Sequence, residues 1–527
     1  MNLAARAARI SSSPTMKVTA TVDRLRRDGV EVIDFGAGEP DFATPAAINA
    51  AARTAIDQDF TKYTPVGGIA ELKRAICDRY RIDYGVEYGE HEVIVSAGGK
   101  QALFNTALAL FGPGDEVITH APYWPTLSEQ VTLAEATPVV VRTNADDGFA
   151  IRSEAILDRV TSRTRGIIIN SPCNPTGALI SEEELAAIAR EAARRGIWVV
   201  LDLCYEKLIY DPVPHNLPAV LDRHCRDLAV MCGSASKAYA MTGWRCGWTL
   251  GPAAVVAAET AIQSHATSNV NSIAQKAVVA ALTLSQEPVA KMLAEYRTRR
   301  DSLCDWLSAD PRLRFRKPAG AFYLFLDVSE ALSVDGFRTS ADFAQALLDQ
   351  FRVAVTPGEA FDAPGFVRLS YAASMELLRE GSRRLLQFMS QLPNYQMTQL
   401  PDSGMSKVVA VIGASNNRLK FGNRALRAFR QQGYTVVPIN PHEREVEGLK
   451  AYGSVLDVPG SIDMATFYVP PEVGERLIEE VARKQIAEVW LNPGAESDAL
   501  VSRARAFSIQ PIVACSIIAI GQDPYAL

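Results

Sequence analysis

Short, almost entirely apolar runs rich in β-branched residues alternate along this chain with amphipathic helical patterns. The clearest of these runs are residues 92–96, 116–119, 166–170 and 198–202. Strands have this composition when a parallel sheet is covered on both faces. Helical patterns lie between them, for example at 101–110 and 182–195, and Ser181 and Glu184 have capping-box spacing at the start of the second. The alternation predicts an α/β fold with right-handed crossovers.

A polar stretch divides the chain near residue 390. Residues 391–406 are rich in Pro, Asn, Gln, Asp, Ser and Gly, and this composition predicts an interdomain linker. A second set of patterns follows, with strands predicted at 408–412, 435–439, 465–469, 488–491 and 511–514 and a helix at 423–432. We therefore expect one domain over residues 1–390 and a second, self-contained α/β domain over residues 407–527.

Composition restricts the partners and the compartment. The 527 residues include 54 Lys and Arg against 60 Asp and Glu, so the basic excess of a nucleic-acid-binding protein is absent. No apolar run reaches the roughly 18 residues of a membrane span, and no signal peptide is recognisable. The eight cysteines form no CxxC pair, and metal-ligand spacing is absent. We expect a cytoplasmic protein with reduced thiols and no metal, nucleic-acid or membrane partner.

A lysine surrounded by small residues is the most specific chemical feature. Lys237 follows Ser234 and Ser236 and precedes Arg245. Partial desolvation lowers the pKa of an amine and makes it nucleophilic toward an aldehyde. The two hydroxyls and the guanidinium are suitable donors for a phosphate. An isolated lysine of this kind is more often a solvated loop residue, so the interpretation depends on the motifs around it.

Eight further motifs occur in order along the first domain. They are Ser13-Pro-Thr15-Met16, Gly36-Ala-Gly38-Glu-Pro-Asp-Phe, Lys62-Tyr63-Thr-Pro, Ala97-Gly98-Gly99-Lys100-Gln101-Ala, Pro122-Tyr-Trp124, Asn170-Ser-Pro-Cys-Asn174-Pro-Thr-Gly177, Asp202…Tyr205 and Arg368-Leu-Ser-Tyr371. With the Lys237 segment, this set resembles the class I, fold-type I aminotransferases that use pyridoxal 5′-phosphate (PLP), in particular the aspartate and prephenate aminotransferase subgroup. The resemblance implies a large domain over about 45–290, built on a mixed, mostly parallel sheet. It also implies a small α/β domain formed by the N-terminal segment and about 291–390.

The resemblance assigns roles to individual residues. The catalytic residues would be Lys237, Asp202 and Tyr205. Cofactor contacts would come from Gly98, Gly99, Lys100, Trp124, Asn174, Asp202, Tyr205, Ser234, Ser236, Lys237, Arg245 and Tyr63. Substrate contacts would come from Gly38, Thr15, Lys100, Asn174 and Arg368. The implied reaction is transamination of a dicarboxylic, aspartate-like amino donor with a 2-oxo acid, through an external aldimine and a quinonoid.

Two of these roles have a simple physical basis, and a third, that of Tyr63, follows from the resemblance alone. Amides at the start of the helix after Gly98 would face the cofactor phosphate. Asp202 would keep the pyridine nitrogen protonated, so that the ring accepts electrons from a carbanion. Tyr63 would reach the phosphate bound by a neighbouring subunit, which implies a homodimer with shared active sites.

The sequence departs from the family pattern beside Asp202. The usual Ser-Asp-Glu-Ile-Tyr is replaced by residues 201–205, Leu-Asp-Leu-Cys-Tyr, and Val270 stands where proline is usual. These changes leave a second reaction open. The same cofactor could support β- or γ-elimination or replacement, with a nucleotide-type second substrate such as CoA, NAD or an S-adenosyl compound.

Residues 407–527 resemble a small CoA-binding Rossmann-like, doubly wound domain. The resemblance depends on residues 411–415 after a strand and on residues 438–441, 468–471 and 490–496. In such folds the loops at the carboxyl ends of strands bind the ligand. The phosphates would lie against Gly413, Ala414, Ser415 and Asn416, and the rim would be formed by Asn440, Pro470 and Asn492. The domain could hold CoA or another nucleotide as a substrate, regulate the enzyme, or serve assembly alone.

Overall fold

The computed structural model describes residues 9–10, 14–332, 337–392, 407–418, 420–486, 488–507, 509–513, 515–520 and 522. Contacts within the chain divide it into two units, Met1–Gln396 and Met397–Leu527. Most of the linker predicted at 391–406 lies outside the described residues. Among those that are described, no helix has the length and apolar character needed to cross a membrane. The same residues contain no group of three or more His, Cys, Asp or Glu placed to hold a metal ion.

The first unit contains strands and helices in alternation. The strands are β1 (Ile33–Asp34), β2 (Val93–Ser96), β3 (Glu116–Ala121), β4 (Thr137–Arg142), β5 (Thr164–Asn170), β6 (Trp198–Asp202), β7 (Ala229–Ser234), β8 (Gly247–Leu250), β9 (Arg314–Phe315), β10 (Tyr323–Asp327), β11 (Val353–Ala354), β12 (Thr356–Pro357) and β13 (Phe366–Ser370). The helices are α1 (Pro14–Arg27), α2 (Ala46–Asp57), α3 (Ala70–Tyr84), α4 (Gly99–Leu110), α5 (Thr126–Leu133), α6 (Ser153–Leu157), α7 (Glu182–Arg195), α8 (Leu217–Cys225), α9 (Ala235–Ala238), α10 (Ala253–Ala266), α11 (Ser272–Thr283), α12 (Glu287–Leu307), α13 (Ser329–Leu332), α14 (Ser340–Phe351) and α15 (Met375–Gln391).

A seven-stranded sheet forms the centre of the first unit, in the order β2-β8-β7-β6-β5-β3-β4. Its neighbours are parallel except where β8 pairs with β2 and β7. Successive residues of β5 enter two different apolar clusters, Ile167 and Ile169 on one face and Ile168 on the other. Burial on both faces explains why the strand runs contain so few polar residues. The predicted mixed, mostly parallel sheet is confirmed.

A second layer is built from the later part of the unit. Strands β12, β13, β10 and β9 form an antiparallel sheet in that order, and β1 pairs with β11 in parallel. The β1–β11 pair joins the N-terminal segment to this later region. The boundary predicted near residue 290 falls inside the continuous helix α12.

The second unit is a smaller doubly wound sheet. Its strands are β14 (Val408–Ile412), β15 (Thr435–Ile439), β16 (Glu445–Val446), β17 (Leu449–Lys450), β18 (Met464–Phe467), β19 (Glu488–Leu491) and β20 (Ile512–Val513). Its helices are α16 (Phe421–Gln431), α17 (Pro471–Arg483), α18 (Asp498–Ala506) and α19 (Ser516–Ala519). Five strands form a parallel sheet in the order β15-β14-β18-β19-β20. The chain reverses direction across the sheet between β14 and β18, which confirms the predicted Rossmann-like organisation.

Two local predictions differ from the structure. Ser181 caps α7 as expected, because its hydroxyl accepts from the amide of Glu184 at 3.2 Å. The Glu184 carboxylate, however, accepts from the amide of Ser153 at 2.6 Å instead of returning to the cap. The tertiary partner replaces the reciprocal bond of a capping box. Helix α4 also begins two residues before the predicted 101–110, at Gly99.

Candidate active site

A cavity of about 920 Å³ lies at the carboxyl edge of the seven-stranded sheet. Seven of the residues predicted from the sequence line it: Gly38, Trp124, Asn174, Asp202, Tyr205, Lys237 and Arg368. Asp202 ends β6, and Lys237 lies in the one-turn helix α9 that follows β7 directly. Parallel strands bring their carboxyl ends to one edge, so these two side chains meet although 35 positions separate them. Arg368 reaches the same cavity from β13 of the other sheet.

The amine of Lys237 is half-buried and points toward the N-terminal segment. Its Nζ donates a hydrogen bond to the carbonyl of Gly38. Burial lowers the pKa of Lys237 below that of an ordinary lysine. A lysine in this condition has a larger neutral fraction and is therefore a better nucleophile.

Asp202 is 3% exposed and receives two N–H donors. The amide of Cys204 donates to Oδ1 at 3.0 Å, and Nδ2 of Asn170 donates to Oδ2 at 3.1 Å. Burial raises the pKa of Asp202 from 3.8 to about 6. The pKa of the Asp202 carboxyl is therefore close to neutral pH, and a neighbouring cation would favour its ionised form.

Arg368 is 2% exposed and held on two sides. Its Nη1 donates to Oδ1 of Asn174 at 2.9 Å, and its Nη2 donates to the carbonyl of Gly36 at 2.8 Å. The guanidinium carbon lies 4.2 Å from the ring centre of Tyr323. Its buried Nε has no hydrogen-bond partner among the described residues. This arrangement fixes the plane of the guanidinium and leaves donor capacity for a ligand.

A second group of predicted residues surrounds the start of α4. Gly98 has a φ of +87°, and a Cβ there would lie 2.5 Å from Nη2 of Arg245. Ser234 Oγ donates to Ser236 Oγ at 2.9 Å, and a Cβ on Gly99 would lie 3.3 Å from Ser234. Free helix amides, two hydroxyls and a guanidinium therefore converge, as an anion site requires.

Of the three remaining predicted residues, two lie outside the lining of the cavity and one has no described side chain. Nζ of Lys100 is 4.7 Å from the ring centre of Trp124, outside the residues lining the cavity. Tyr63 is 92% exposed and also lies outside that lining. Thr15 belongs to α1, but its side chain is outside the described residues.

Sequence reasoning assigned no role to several residues that shape the site. Tyr323 donates to or accepts from Tyr205 through their hydroxyls, 2.7 Å apart. Asn170 contacts Asp202, and the carbonyl of Gly36 holds Arg368. Asn170 and Gly36 stood inside the motifs that were recognised, whereas nothing near Tyr323 in the sequence indicated its position.

The two altered residues that follow Asp202 differ in their surroundings. Leu203 is buried in the core, whereas Cys204 lines the cavity. Burial, followed by the charge of Asp202, raises the pKa of the Cys204 thiol to about 12. The thiol is therefore neutral at physiological pH and contributes bulk and polarisability rather than a thiolate.

The second unit brings its predicted loop residues to the carboxyl edge of β14. Gly413 has a φ of +90°, and a Cβ there would lie 2.5 Å from the carbonyl of Tyr468. Gly422, at the start of α16, approaches the same loop so closely that its Cβ would lie 2.2 Å from the carbonyl of Gly413. Ala414 is buried, and Ser415 accepts from the amide of Asn417 through its hydroxyl at 3.2 Å. This close packing of loop and helix is typical of nucleotide-binding folds.

The three predicted asparagines of this unit differ in their surroundings. Nδ2 of Asn440 donates to the carbonyl of Ala414 at 2.6 Å, and the exposed Asn416 donates to Glu443 at 2.8 Å. Asn492 is 1% exposed, and its Nδ2 donates to both Thr466 and Phe467. It therefore lies below the rim that was predicted for it and supports the sheet. Pro470 is exposed at the start of α17.

Comparison with known proteins agrees with this architecture. A half-buried lysine, a buried carboxylate and a buried arginine that line one cavity at the edge of such a sheet are the arrangement of a fold-type I transferase. Residues 30–385 match the family model of aminotransferase class I and II, and residues 407–521 match that of a CoA binding domain. The chain belongs to the class I and II aminotransferases, which are PLP-dependent enzymes, and carries a CoA-binding-type domain after them.

Relatives and solved structures cover the first unit. An aspartate aminotransferase of Geobacillus stearothermophilus is 42% identical, over 74% of this chain and 99% of its own. An aspartate/prephenate aminotransferase of Cereibacter sphaeroides is 42% identical, over 73% of this chain and 98% of its own. The Thermus thermophilus aspartate aminotransferase structure with maleate has a TM-score of 0.70 at 39% identity, covering 73% of this chain and 99% of that one. Because these proteins are covered almost completely, the second unit is additional to their length.

The residues present fit the cofactor that the family uses. Asp202 is a buried carboxylate whose two hydrogen bonds come from neutral groups, so a protonated ring nitrogen would supply the missing positive charge. The group around Gly98 offers helix amides and the Arg245 guanidinium to a phosphate. Lys237 is half-buried in the same cavity and has a lowered pKa, as an amine that condenses with an aldehyde requires.

Proposed function

We propose that this enzyme transfers the amino group of a dicarboxylic, aspartate-like amino acid to a 2-oxo acid. The observation that carries the proposal is the placement of Lys237, Asp202 and Arg368 around one cavity of about 920 Å³. Amine, carboxylate and guanidinium are the three groups that such a reaction needs. The names of the relatives, aspartate and aspartate/prephenate aminotransferases, support the choice of donor.

In this proposal each residue of the cavity has a defined task. Bound PLP supplies an aldehyde for the amino group and a ring that accepts electrons from Cα. Asp202 would hold the ring nitrogen in its protonated form, and Asn174 and Tyr205 would donate to the ring oxygen. The phosphate would be held by Gly98, Gly99, Ser234, Ser236 and Arg245, and Trp124 would pack against the ring.

The substrate is oriented from the opposite side. Arg368 binds the α-carboxylate, and its contacts with Asn174 and Gly36 prevent the guanidinium from turning. The Lys237 amine would remove the proton from Cα as a general base and return it, as a general acid, to the carbon that the aldehyde of the cofactor contributes. The Lys100 ammonium, which lies 4.7 Å from the ring centre of Trp124, would bind the distal carboxylate of the donor.

A half-reaction tests the proposal directly. The holoenzyme is mixed with L-aspartate alone and the absorbance of the bound cofactor is followed, and 2-oxoglutarate is then added. We expect conversion to the amine form and its reversal by the oxo acid. Lys237→Ala should abolish both. If no common amino acid converts the cofactor, but a thiol or CoA-type co-substrate is consumed with loss of a β- or γ-substituent, the replacement chemistry is correct and transamination is wrong.

We infer that the working form is a homodimer in the cytoplasm. Tyr63 is 92% exposed and lies away from the cavity of its own chain, which is consistent with a contact to a partner subunit. All eight cysteines are free, as in a reducing compartment. Sedimentation equilibrium of the holoenzyme tests the dimer. A monomer with full activity would contradict shared active sites.

We propose that the second unit binds CoA or a related nucleotide and modulates the aminotransferase. Its support is the close packing of the Gly413 loop against α16, at the carboxyl edge where the connections after β14 and β18 run in opposite directions across the sheet. Gly413→Ala in the full chain should weaken CoA binding, measured by calorimetry, by about tenfold or more, since the new Cβ would collide with Tyr468. Gly460→Ala is the matched control, because Gly460 also has positive φ but nothing within 4 Å. A chain that binds CoA with no change in turnover would leave assembly as the remaining role.

A further inference from the structure

Strands β3 and β5 separate just before the cavity. Their pairing ends at Thr119 and Ile168, whereas β5 continues to Asn170, still paired with Asp202 of β6. The amide of Ser171 donates to the carbonyl of Asp202, so the preceding amide, that of Asn170, faces β3. At this position the ladder offers it no carbonyl acceptor.

The imidazole of His120 takes the place of that acceptor. Its Nε2 lies 3.2 Å from the amide nitrogen of Asn170 and accepts the hydrogen bond. His120 is 1% exposed, so water could not replace the ring as the hydrogen-bond acceptor of the Asn170 amide. Because Nε2 accepts, the ring is neutral and its proton is on Nδ1.

The side chain of Asn170 then connects this contact to the cavity. Its Oδ1 accepts from the amide of Asn174 at 2.9 Å, and its Nδ2 donates to Oδ2 of Asp202 at 3.1 Å. The first bond fixes which end of the carboxamide is the oxygen, so the amino end must face Asp202. The orientation of the catalytic carboxylate therefore depends on Asn170 staying in place.

We propose that His120 is a positioning residue that orients Asp202 through Asn170. The proposal rests on the function proposed above, since it concerns how Asp202 serves the cofactor. Without the imidazole, the Asn170 amide would be buried and unpaired, and the end of β5 would shift to find another acceptor. Asp202 would then lose one of its two N–H donors, which favour the charged form of the carboxylate.

Three variants separate positioning from packing. His120→Leu removes the acceptor and keeps an apolar group of similar size. His120→Gln keeps an acceptor oxygen near the end of the side chain. Thr119→Val is the matched control on the same strand, because the buried Thr119 hydroxyl has no hydrogen-bond partner among the described residues.

We expect His120→Leu to lower kcat by about tenfold, the effect of one lost hydrogen bond to a charged group, with KM for the amino donor changed by less than about twofold. The pH at which the absorbance of the bound cofactor changes should move by about half a unit or more, since Asp202 sets the charge of the ring. His120→Gln should recover most of both effects, and Thr119→Val should match the native enzyme.

Native kcat and a native absorbance midpoint in His120→Leu would overturn the proposal. Equal losses in His120→Leu and His120→Gln with an unmoved midpoint would also overturn it, since the ring would then serve packing alone. Selective ¹⁵N labelling of histidine in the full chain gives a test that needs no turnover. The His120 signal, assigned by its loss in His120→Gln, should be that of a neutral ring protonated at Nδ1. A proton on Nε2 would rule out the hydrogen bond from the Asn170 amide to His120 and would therefore refute the positioning role. This result does not depend on whether the proposed reaction is correct.

Discussion

Gly98→Ala should weaken binding of the cofactor phosphate without unfolding the enzyme. Gly98 immediately precedes α4, with φ +87° and ψ 165°. A Cβ at this position would lie 2.5 Å from Nη2 and 2.9 Å from Cζ of Arg245. Since these atoms are the end of a long side chain, the guanidinium would swing away rather than force the sheet apart. The expected lesion is therefore the displacement of Arg245.

The magnitude follows from two contributions. A residue with a side chain adopts the φ/ψ conformation of Gly98 only at a cost of about 1–3 kcal/mol, and this strain lowers the free energy of unfolding. Displacing Arg245 breaks its hydrogen bonds to the carbonyls of Thr242, at 2.9 Å, and Ala97, at 3.2 Å. Those two bonds add to the loss of stability, whereas the phosphate would lose the charge-assisted hydrogen bond from the guanidinium, worth about 2 kcal/mol, which corresponds to roughly 30-fold in affinity.

The assay is a PLP titration of the apoenzyme followed by absorbance, alongside a thermal melt. Gly114→Ala is the control, because Gly114 also has a positive φ, +92°, but nothing within 4 Å of its Cβ position. Both variants should melt at a lower temperature, whereas only Gly98→Ala should bind PLP about 30-fold more weakly. A Gly98→Ala enzyme that binds within about threefold of the native one would refute the role given to Arg245. An equal loss in Gly114→Ala would show that strain alone is responsible.

Three further predictions concern charged groups. Arg368→Lys should lower kcat/KM by about 100-fold in steady-state assays, mainly through KM, since one ammonium cannot replace the two-pronged guanidinium. Asp202→Asn should lower kcat by about 100-fold or more in single-turnover assays with unchanged circular dichroism, because a neutral amide cannot balance a protonated ring. Burial raises the pKa of Glu259 from 4.5 to about 8, so the native state holds a proton that the unfolded chain releases above pH 4.5. Stability should therefore fall by up to about 5 kcal/mol as the pH rises from 4.5 to 8. Glu259→Gln should remove this slope in denaturant unfolding, and an unchanged slope would refute the assignment.

The strands were the part of the fold most accessible from the sequence. Strands β14, β15 and β19 begin and end where the apolar runs predict, as does β6. Each consists mainly of buried and half-buried residues, so local composition and tertiary environment agree. The same pattern placed Asp202 at a strand end and so at the ligand-binding edge. The roles given to Lys237 and Arg368 came from their motif context, since a single lysine or arginine has no such signature.

Contacts between distant segments could not be predicted in the same way. Tyr323 lies 118 positions from Tyr205, yet their hydroxyls are 2.7 Å apart. His120 reaches Asn170 only because β3 and β5 separate where they do, and that separation depends on strand register. Periodicity determines which face a side chain occupies but not where two strands diverge. The partners of the catalytic groups therefore required the structure.

Two buried carboxyl groups of the first unit show how such partners decide function. Burial raises the pKa of both, to about 8 for Glu259 and about 6 for Asp202. Glu259 accepts one hydrogen bond, from Thr106, and its other oxygen has no partner among the described residues. Asp202 accepts two, from Cys204 and Asn170. A nearby cation lowers a carboxyl pKa by about 1–3 units, so a protonated ring beside Asp202 would make it fully ionised at neutral pH. The same shift would leave the pKa of Glu259 higher than that of Asp202, so a larger fraction of Glu259 would stay protonated at neutral pH. The N–H donors at the ends of β5 and β6 thus hold Asp202 where the charge of the cofactor can decide its ionisation, and Asn170 is the donor whose position the sequence alone did not reveal.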